Sequence, residues 1–320
     1  AQWRPGLAHA SPANALSRDN VGLGLMGAKP AEAKCLLDAR ALLGECPVWD
    51  ERGSALYFVD IEGPALFRLD PASGIVERWA MPARIGCFAL DRAGGAIVAL
   101  AAGFHHFDFK TAALAPLANP LVGQADHRFN DGAADPAGRF WAGTMHLSAR
   151  RPSGKVYCLE RNGKALAVYD GFFVPNGFAW SPDGARFFIN DSPRAMFVAD
   201  YDTVGGRAGP PFVFADKSAA PGYPDGMAVD AEGYLWNARW DGGGIARFAP
   251  DGRLDRFVHL PVSRPTSCAF GGPGFDRLFV TSARIGLDEA ALAREPLAGG
   301  VFVIEPGVTG LPARRWRGPA

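Results

Sequence analysis

A nine-residue pattern recurs six times along the chain, and this repeat limits the possible folds more than any other feature. It reads "ECPVWDERG" (45–53), "GCFALDRAG" (86–94), "NDGAADPAG" (130–138), "NGFAWSPDG" (176–184), "DGMAVDAEG" (225–233) and "TSCAFGGPG" (266–274). Each copy ends in a turn signal, in which an Asp or Ser can bond its own backbone and a Gly supplies positive φ. A strand-like run follows each turn: "ALYFVDI", "AIVAL", "RFWAGTM", "RFFIND", "YLWNAR" and "RLFVTSA". The turn residues Asp50, Asp91, Asp135, Ser181, Asp230 and Gly271 are 41, 44, 46, 49 and 41 residues apart. Units of this length, each holding several short strands, predict an all-β, six-bladed propeller. A β-sandwich has no such period.

The first strand of each propeller blade lines the central channel. The residue five before each turn residue starts that strand, so these six positions should form a ring around the axis. They are Glu45, Gly86, Asn130, Asn176, Asp225 and Thr266. Glu45, Asn176 and Asp225 supply hard oxygen donors, which suit Ca²⁺, Mg²⁺ or Mn²⁺ better than a thiolate zinc site does. Three protein donors leave coordination positions for water and substrate. Arg128, just before the ring residue Asn130 in "HRFNDG", is expected to hold a substrate oxygen next to the cation through its fork of donors. Asp131 either supports the site from behind Asn130 or completes the turn, and the turn is the favoured reading. His146, at the end of "FWAGTMH", either edges the channel mouth, where it is a candidate substrate contact, or is a half-buried polar residue; the mouth is the favoured reading.

Other chemistry finds little support. Basic and acidic residues number 33 each, so no electrostatic footprint for nucleic acid or an anionic membrane is present. No run of 18 apolar residues exists to span a bilayer. The six His form no HExxH, and no G-x-S-x-G elbow or Ser-His-Asp order stands out. His105 and His106 face opposite sides of one strand. Five Cys without a CxxC point to a reducing, cytoplasmic setting, and Cys46, Cys87 and Cys268 read as small buried residues. Residues 1–33 lack a strand or helix period and are read as a flexible tail before a single propeller domain, 34–320. Within that tail "VGLGLMGA" only partly shows the three-region pattern of a secretory signal. The segment "KCLLDAR" (34–40) is expected to pair with "GGVFVIE" (299–305) and close the ring. "LDEAALARE" (287–295) is the one helix expected.

The motifs "LGECPVWD", "RFNDGAADPAGRFWAGTM", "PNGFAWSPDG", "PDGMAVDAEGYLW", "PTSCAFGG" and "LFVTSAR" together resemble the regucalcin (senescence marker protein 30)/gluconolactonase family, from about Cys35 to Gly318. That resemblance implies a six-bladed propeller with one divalent cation in its channel and hydrolysis of a sugar lactone to the aldonic acid. It implies Glu45, Asn176 and Asp225 as cation ligands, with Ca, Zn, Mn, Mg or Fe as candidates. It implies Arg128 and Asn130 as substrate contacts. Animal members carry acidic residues after "AGTM"; here His146 follows, which bears on sugar preference. In the expected chemistry the cation polarises the lactone carbonyl and activates water, and Asp225 accepts the water's proton. The expected partner is a small sugar lactone, with the chain a monomer or weak homo-oligomer. Alternatives are a propeller hydrolase of phosphotriesters or aryl esters, a non-catalytic calcium-binding propeller, and a protein-interaction propeller. The last would need an exposed apolar or charged top face, and the sequence shows no WD-type motif.

Overall fold

The computed structural model describes residues 32–318. The repeat folds as expected, with each copy becoming the innermost strand of one antiparallel sheet. The six inner strands are Gly44–Asp50, Ile85–Leu90, His127–Ala134, Pro175–Trp180, Tyr223–Val229 and Pro265–Gly271. Blades one, two, three and five are four-stranded meanders in chain order. Blade four adds Arg207–Ala208 beside Ala195–Asp202, which also pairs with Phe212–Asp216.

Blade six joins the two ends of the described chain. Pro265–Gly271, Arg277–Ser282 and Val301–Ile304 take Lys34–Leu37 as their fourth, outer strand. This closure gives the Val301–Ile304 edge a partner, as a closed ring requires. The expected helix forms as Glu289–Arg294, capped by the Asp288 side chain accepting from Ala291 N. The expectation for the tail lies almost wholly outside the described residues. Among the described residues no helix is long and apolar enough to cross a membrane.

The turns follow their chemistry. Asp91 Oδ1 accepts from Gly94 N and Gly95 N, Asp135 Oδ1 from Arg139 N, and Asp230 Oδ1 from Glu232 N and Tyr234 N. The core lies between blades, where the second strands are buried on both faces. Ala55–Asp60 and Ala96–Leu100 are buried along their whole length.

One element has no counterpart in the sequence reading. After the last blade strand, the chain crosses the turn end of the propeller. Gly310 bridges to Asp230, Trp316 bridges to Asp91, and Trp316 is buried in the core. Arg315 bonds Asp91 O and the carboxylates of Asp50 and Glu51. Leu311–Arg314 help to line a channel cavity of about 170 Å³ below the ring. This strap floors the channel beneath the predicted site.

Candidate functional site

All six inner strands slip register at the ring. The breaks fall at Glu45/Val48, Ile85/Cys87, Phe129/Gly132, Asn176/Ala179, Pro224/Met227 and Pro265/Ser267. A bulge of this kind bends the strand and re-aims a side chain. Cys46 at φ 48° and Gly177 at φ 58° mark the left-handed residue in two of them. At Gly177 a Cβ would meet Asn190 Nδ2 at 2.6 Å and the main-chain oxygen of Asp225 at 2.9 Å, so a side chain there would press on the backbone of a ring residue. Strict alternation would not turn these side chains to the axis; the bulges do.

Glu45, Arg128, Asn130, Asn176 and Asp225 line one cavity of about 380 Å³ at the strand-start end of the channel. Leu43, Met145, Val174, Tyr223 and Trp240 form its apolar wall. The volume lies within the roughly 300–1,000 Å³ common for small-molecule sites. All five polar residues are buried.

Their hydrogen bonds separate engaged donors from free ones. Asn176 Nδ2 donates to Ser192 Oγ at 3.0 Å, while its buried Oδ1 has no partner among the described residues. Among the described residues Glu45 Oε2 accepts only from Cys46 N at 3.3 Å, and Asp225 Oδ1 only from Gly226 N at 3.1 Å. By contrast, Asn130 Nδ2 donates to Pro175 O, and its Oδ1 accepts from Arg128 Nη1 at 2.7 Å. Arg128 Nη1 also reaches Phe129 O. Thr266 Oγ1 is fully engaged by Gly44 O and Thr281 Oγ1. Gly86 contributes no side chain, because a Cβ would lie 2.5 Å from Phe129 O of the next blade.

Asp131 corrects the sequence reading. It does not complete a turn. It is buried within His127–Ala134, accepts from Gly132 N and from Gly177 N at 2.7 Å, and so ties blade three to blade four. Burial pushes its carboxyl up to about 6, although those backbone N–H groups pull the other way. The Glu45 carboxyl is raised by burial, then by the charges of Asp225 and Asp131. The Asp225 carboxyl is raised by burial, then by Asp131, with Arg128 and Arg239 opposing. Three buried carboxylates thus repel one another around the axis.

Two of these carboxylates and the unpartnered amide oxygen of Asn176 fit a hard divalent cation, which would relieve both the repulsion and the orphaned acceptor. The set contains only two acidic ligands. Accordingly, among the described residues no group of three or more His, Cys, Asp or Glu forms a metal cluster.

His146 is not brought into this cavity. It ends Phe140–His146 one residue beyond Met145, and alternation turns it away from the wall that Met145 joins. Its Nδ1 meets Ser148 Oγ at 2.8 Å and its Nε2 lies 3.2 Å from Asp126. The same Asp126 bonds His127 Nδ1, whose Nε2 meets Ser153 Oγ at 2.9 Å. This Ser153–His127–Asp126 chain has triad-like distances that the sequence reading did not find. None of its members lines the cavity, and Asp126 is more than half exposed. His106 is engaged by Asp91 in blade two. Cys46, Cys87 and Cys268 are buried and free, and burial pushes each thiol up, which leaves them inert.

Residues 43–284 match the family described as the SMP-30/Gluconolactonase/LRE-like region. The chain is 38% identical over 280 residues to 6-deoxy-6-sulfogluconolactonase of Pseudomonas putida, covering 87% of this chain and 96% of that one. It is also 38% identical over 287 residues to regucalcin of Gallus gallus, with the same coverage. Among solved structures, a protein described as calcium-binding regucalcin, from Agrobacterium tumefaciens, superposes with a TM-score of 0.87 at 31% identity. That match covers 90% of this chain and 98% of the other.

Proposed function

The chain belongs to the SMP-30/gluconolactonase/LRE-like family, and from that premise we propose that it hydrolyses a sugar lactone to the aldonic acid with the help of one divalent cation. The observation that carries this reading is the buried, unpartnered Oδ1 of Asn176, which shares a cavity with the Glu45 and Asp225 carboxylates. These three residues would hold the cation. When bound, it would supply Lewis-acid polarisation of a carbonyl and a lowered pKa for water. The calcium-binding description of the Agrobacterium relative supports a cation, and the sulfogluconolactonase relative supports a lactone.

The chain's own residues supply the rest. Asp225 Oδ2 is the proposed acceptor for the proton that water loses on attacking the lactone carbonyl. The ester C–O bond then breaks, Asp225 returns that proton to the departing oxygen, which leaves as the sugar's free hydroxyl, and no covalent enzyme intermediate is needed. Among the described residues Arg128 bonds only through Nη1, which leaves Nε and Nη2 for the oxygens of the substrate. Asn130 holds that guanidinium in place. Tyr223 and Trp240 offer flat apolar faces to the C–H side of a sugar ring. Together these contacts turn binding into alignment. The five free cysteines support a reducing compartment, in keeping with a cytoplasmic enzyme.

The test is a panel of aldonolactones, simple aliphatic lactones and a phosphotriester, assayed on metal-stripped and metal-restored protein. Turnover of aldonolactones that disappears on stripping and returns with a cation is the expected result. Faster turnover of the phosphotriester would select the alternative hydrolase. Cation binding without turnover of anything in the panel would leave a calcium-binding propeller.

A further inference from the structure

Asp225 stands apart from the other ring residues in how its main chain is held. Its carbonyl oxygen accepts two side-chain amides from different blades, Asn190 Nδ2 at 2.5 Å and Asn237 Nδ2 at 2.8 Å. Asn237 Nδ2 also reaches Gly226 O at 3.2 Å, and its Oδ1 accepts from Arg239 Nη1 at 3.1 Å. Arg239 sends its other donors to Pro221 O, Lys217 O, Ala220 O and Gly222 O. Those carbonyls belong to the segment leading straight into Tyr223–Val229. One guanidinium therefore fixes the approach to Asp225 and, through Asn237, the Asp225 peptide itself.

Asn190, Asn237 and Arg239 are each 0% exposed. Among the described residues none of Arg239's bonds goes to a carboxylate, and a buried charge held by neutral acceptors alone is costly. The other blades show that the fold does not require it. Just before the register slip, the second-strand partner is Val59, Leu100, Thr144, Asn190 and Ser282 in the other five blades, and Arg239 in blade five. Just after the slip it is Tyr57, Ala99, Ala142, Phe188 and Thr281, against Asn237 in blade five. Buried amides and a guanidinium replace mostly small or apolar side chains only where they converge on one peptide, that of Asp225.

We infer that Arg239, Asn237 and Asn190 are positioning residues, a clamp on the Asp225 peptide that holds its carboxylate in the geometry needed to bind the site cation. The inference rests on the lactonase reading, because the carboxylate being positioned is the one assigned to the cation. Groups that orient a ligand typically contribute 10–100-fold to metal affinity when lost.

The test titrates Ca²⁺, and separately Mn²⁺, into the metal-stripped full chain by calorimetry. Asn237→Leu removes one donor to Asp225 O while Arg239 keeps its four carbonyl partners. Affinity for both cations is expected to fall by about 10–100-fold, and kcat at saturating cation to fall with KM little changed. A folded Asn237→Leu that melts earlier, yet binds both cations and turns over like the wild type, would reduce the clamp to a structural role and overturn the inference. Should Asn237→Leu not fold, Asn190→Leu removes the other donor to the same carbonyl, and the same two results decide. A wild-type chain that turns over no aldonolactone with Ca²⁺, Zn²⁺, Mn²⁺, Mg²⁺ or Fe²⁺ restored sinks the lactonase reading itself, and that result is read before any variant is made; where a cation other than Ca²⁺ or Mn²⁺ restores turnover, the titration uses that cation.

Discussion

Blades two and five are built from the same repeat and differ in nearly every property that matters for chemistry. In blade two, Ile85–Leu90 and Ala96–Leu100 are buried throughout, and the ring position is Gly86. In blade five the equivalent strands carry Asp225, Asn237 and Arg239, all buried and all bonded to one another or to backbone. The meander, the turn and the bulge are common to both. The scaffold therefore tolerates an apolar blade, and the site arises where buried polar groups replace that background. The comparison also separates two kinds of ring residue. Asn176 keeps a free acceptor, whereas Thr266 is saturated by its neighbours.

The largest effect is expected at Asp225. Asp225→Asn keeps an oxygen that can coordinate but removes the charge and the basicity. Cation affinity should weaken, because one of two carboxylate ligands is lost. Turnover should fall further, by about 10²–10⁴, the usual contribution of a positioned general base. Saturating cation should not restore it. Recovery to near wild-type kcat at high cation would make Asp225 a ligand only and move the proton to another group.

The next effect concerns pH in the cation-free chain. Blade two has no carboxylate at the ring, whereas Glu45, Asp131 and Asp225 all titrate above their ordinary range. A carboxyl whose folded pKa is raised binds its proton more tightly when folded. Stability is then greatest at low pH and is lost as pH rises from about 4 through the folded value. Asp131, pushed up from 3.8 to about 6 by burial, contributes to that loss between those two values. Urea midpoints in chelator should therefore be lower at pH 7.5 than at pH 5, and added Ca²⁺ should close the gap. A flat profile in chelator would mean that the buried charges are already compensated within the chain.

Much of this comparison was legible in the sequence, and the limits have physical causes. The repeat register gave the six blades and put Glu45, Asn176 and Asp225 in one cavity, because the turn chemistry fixes where each inner strand starts. It could not reveal the bulges, since a register slip depends on the partner strand. Asp131 differs from its favoured reading for that reason: next to Asn130 and Gly132 it looks like a turn, but the bulge buries it in a strand. His146 was assigned to the mouth from its place at a strand end, without the alternation that turns it away from Met145. The clamp residues Asn190, Asn237 and Arg239 lie on second strands, outside the repeated motif. Their signal was available, as polar residues in "RFFIND" and "YLWNAR" where other blades read "ALYFVDI" and "AIVAL". The strap through Gly310 and Trp316 has no alternation to betray it, and its partners are remote turns.

Gly86→Ala would sharpen the contrast from the empty side. Its Cβ would lie 2.5 Å from Phe129 O and 2.8 Å from Asn130 O, both backbone atoms that cannot rotate away. Overpacking of this kind costs about 1–3 kcal/mol. Because the displaced strand carries Arg128 and Asn130, KM for the lactone should rise along with the stability loss, while cation affinity stays near wild type. An unchanged KM would show that blade three absorbs the shift below the site, and that the glycine serves packing alone.

The smallest effect is expected at Thr266, where the ring position is polar but spent. Its hydroxyl donates to Gly44 O and meets Thr281 Oγ1, joining blade six to blade one across the closure of the ring. Thr266→Val keeps the shape and the β-branch and removes those bonds, leaving the carbonyl and the Thr281 hydroxyl less satisfied. A loss of about 1 kcal/mol follows, read as a lower urea midpoint. Cation affinity, kcat and KM should all match the wild type, because no free donor is removed from the cavity. If cation affinity fell instead, occupying the ring position would matter in itself, and the distinction drawn between the free Asn176 oxygen and the saturated Thr266 hydroxyl would not hold.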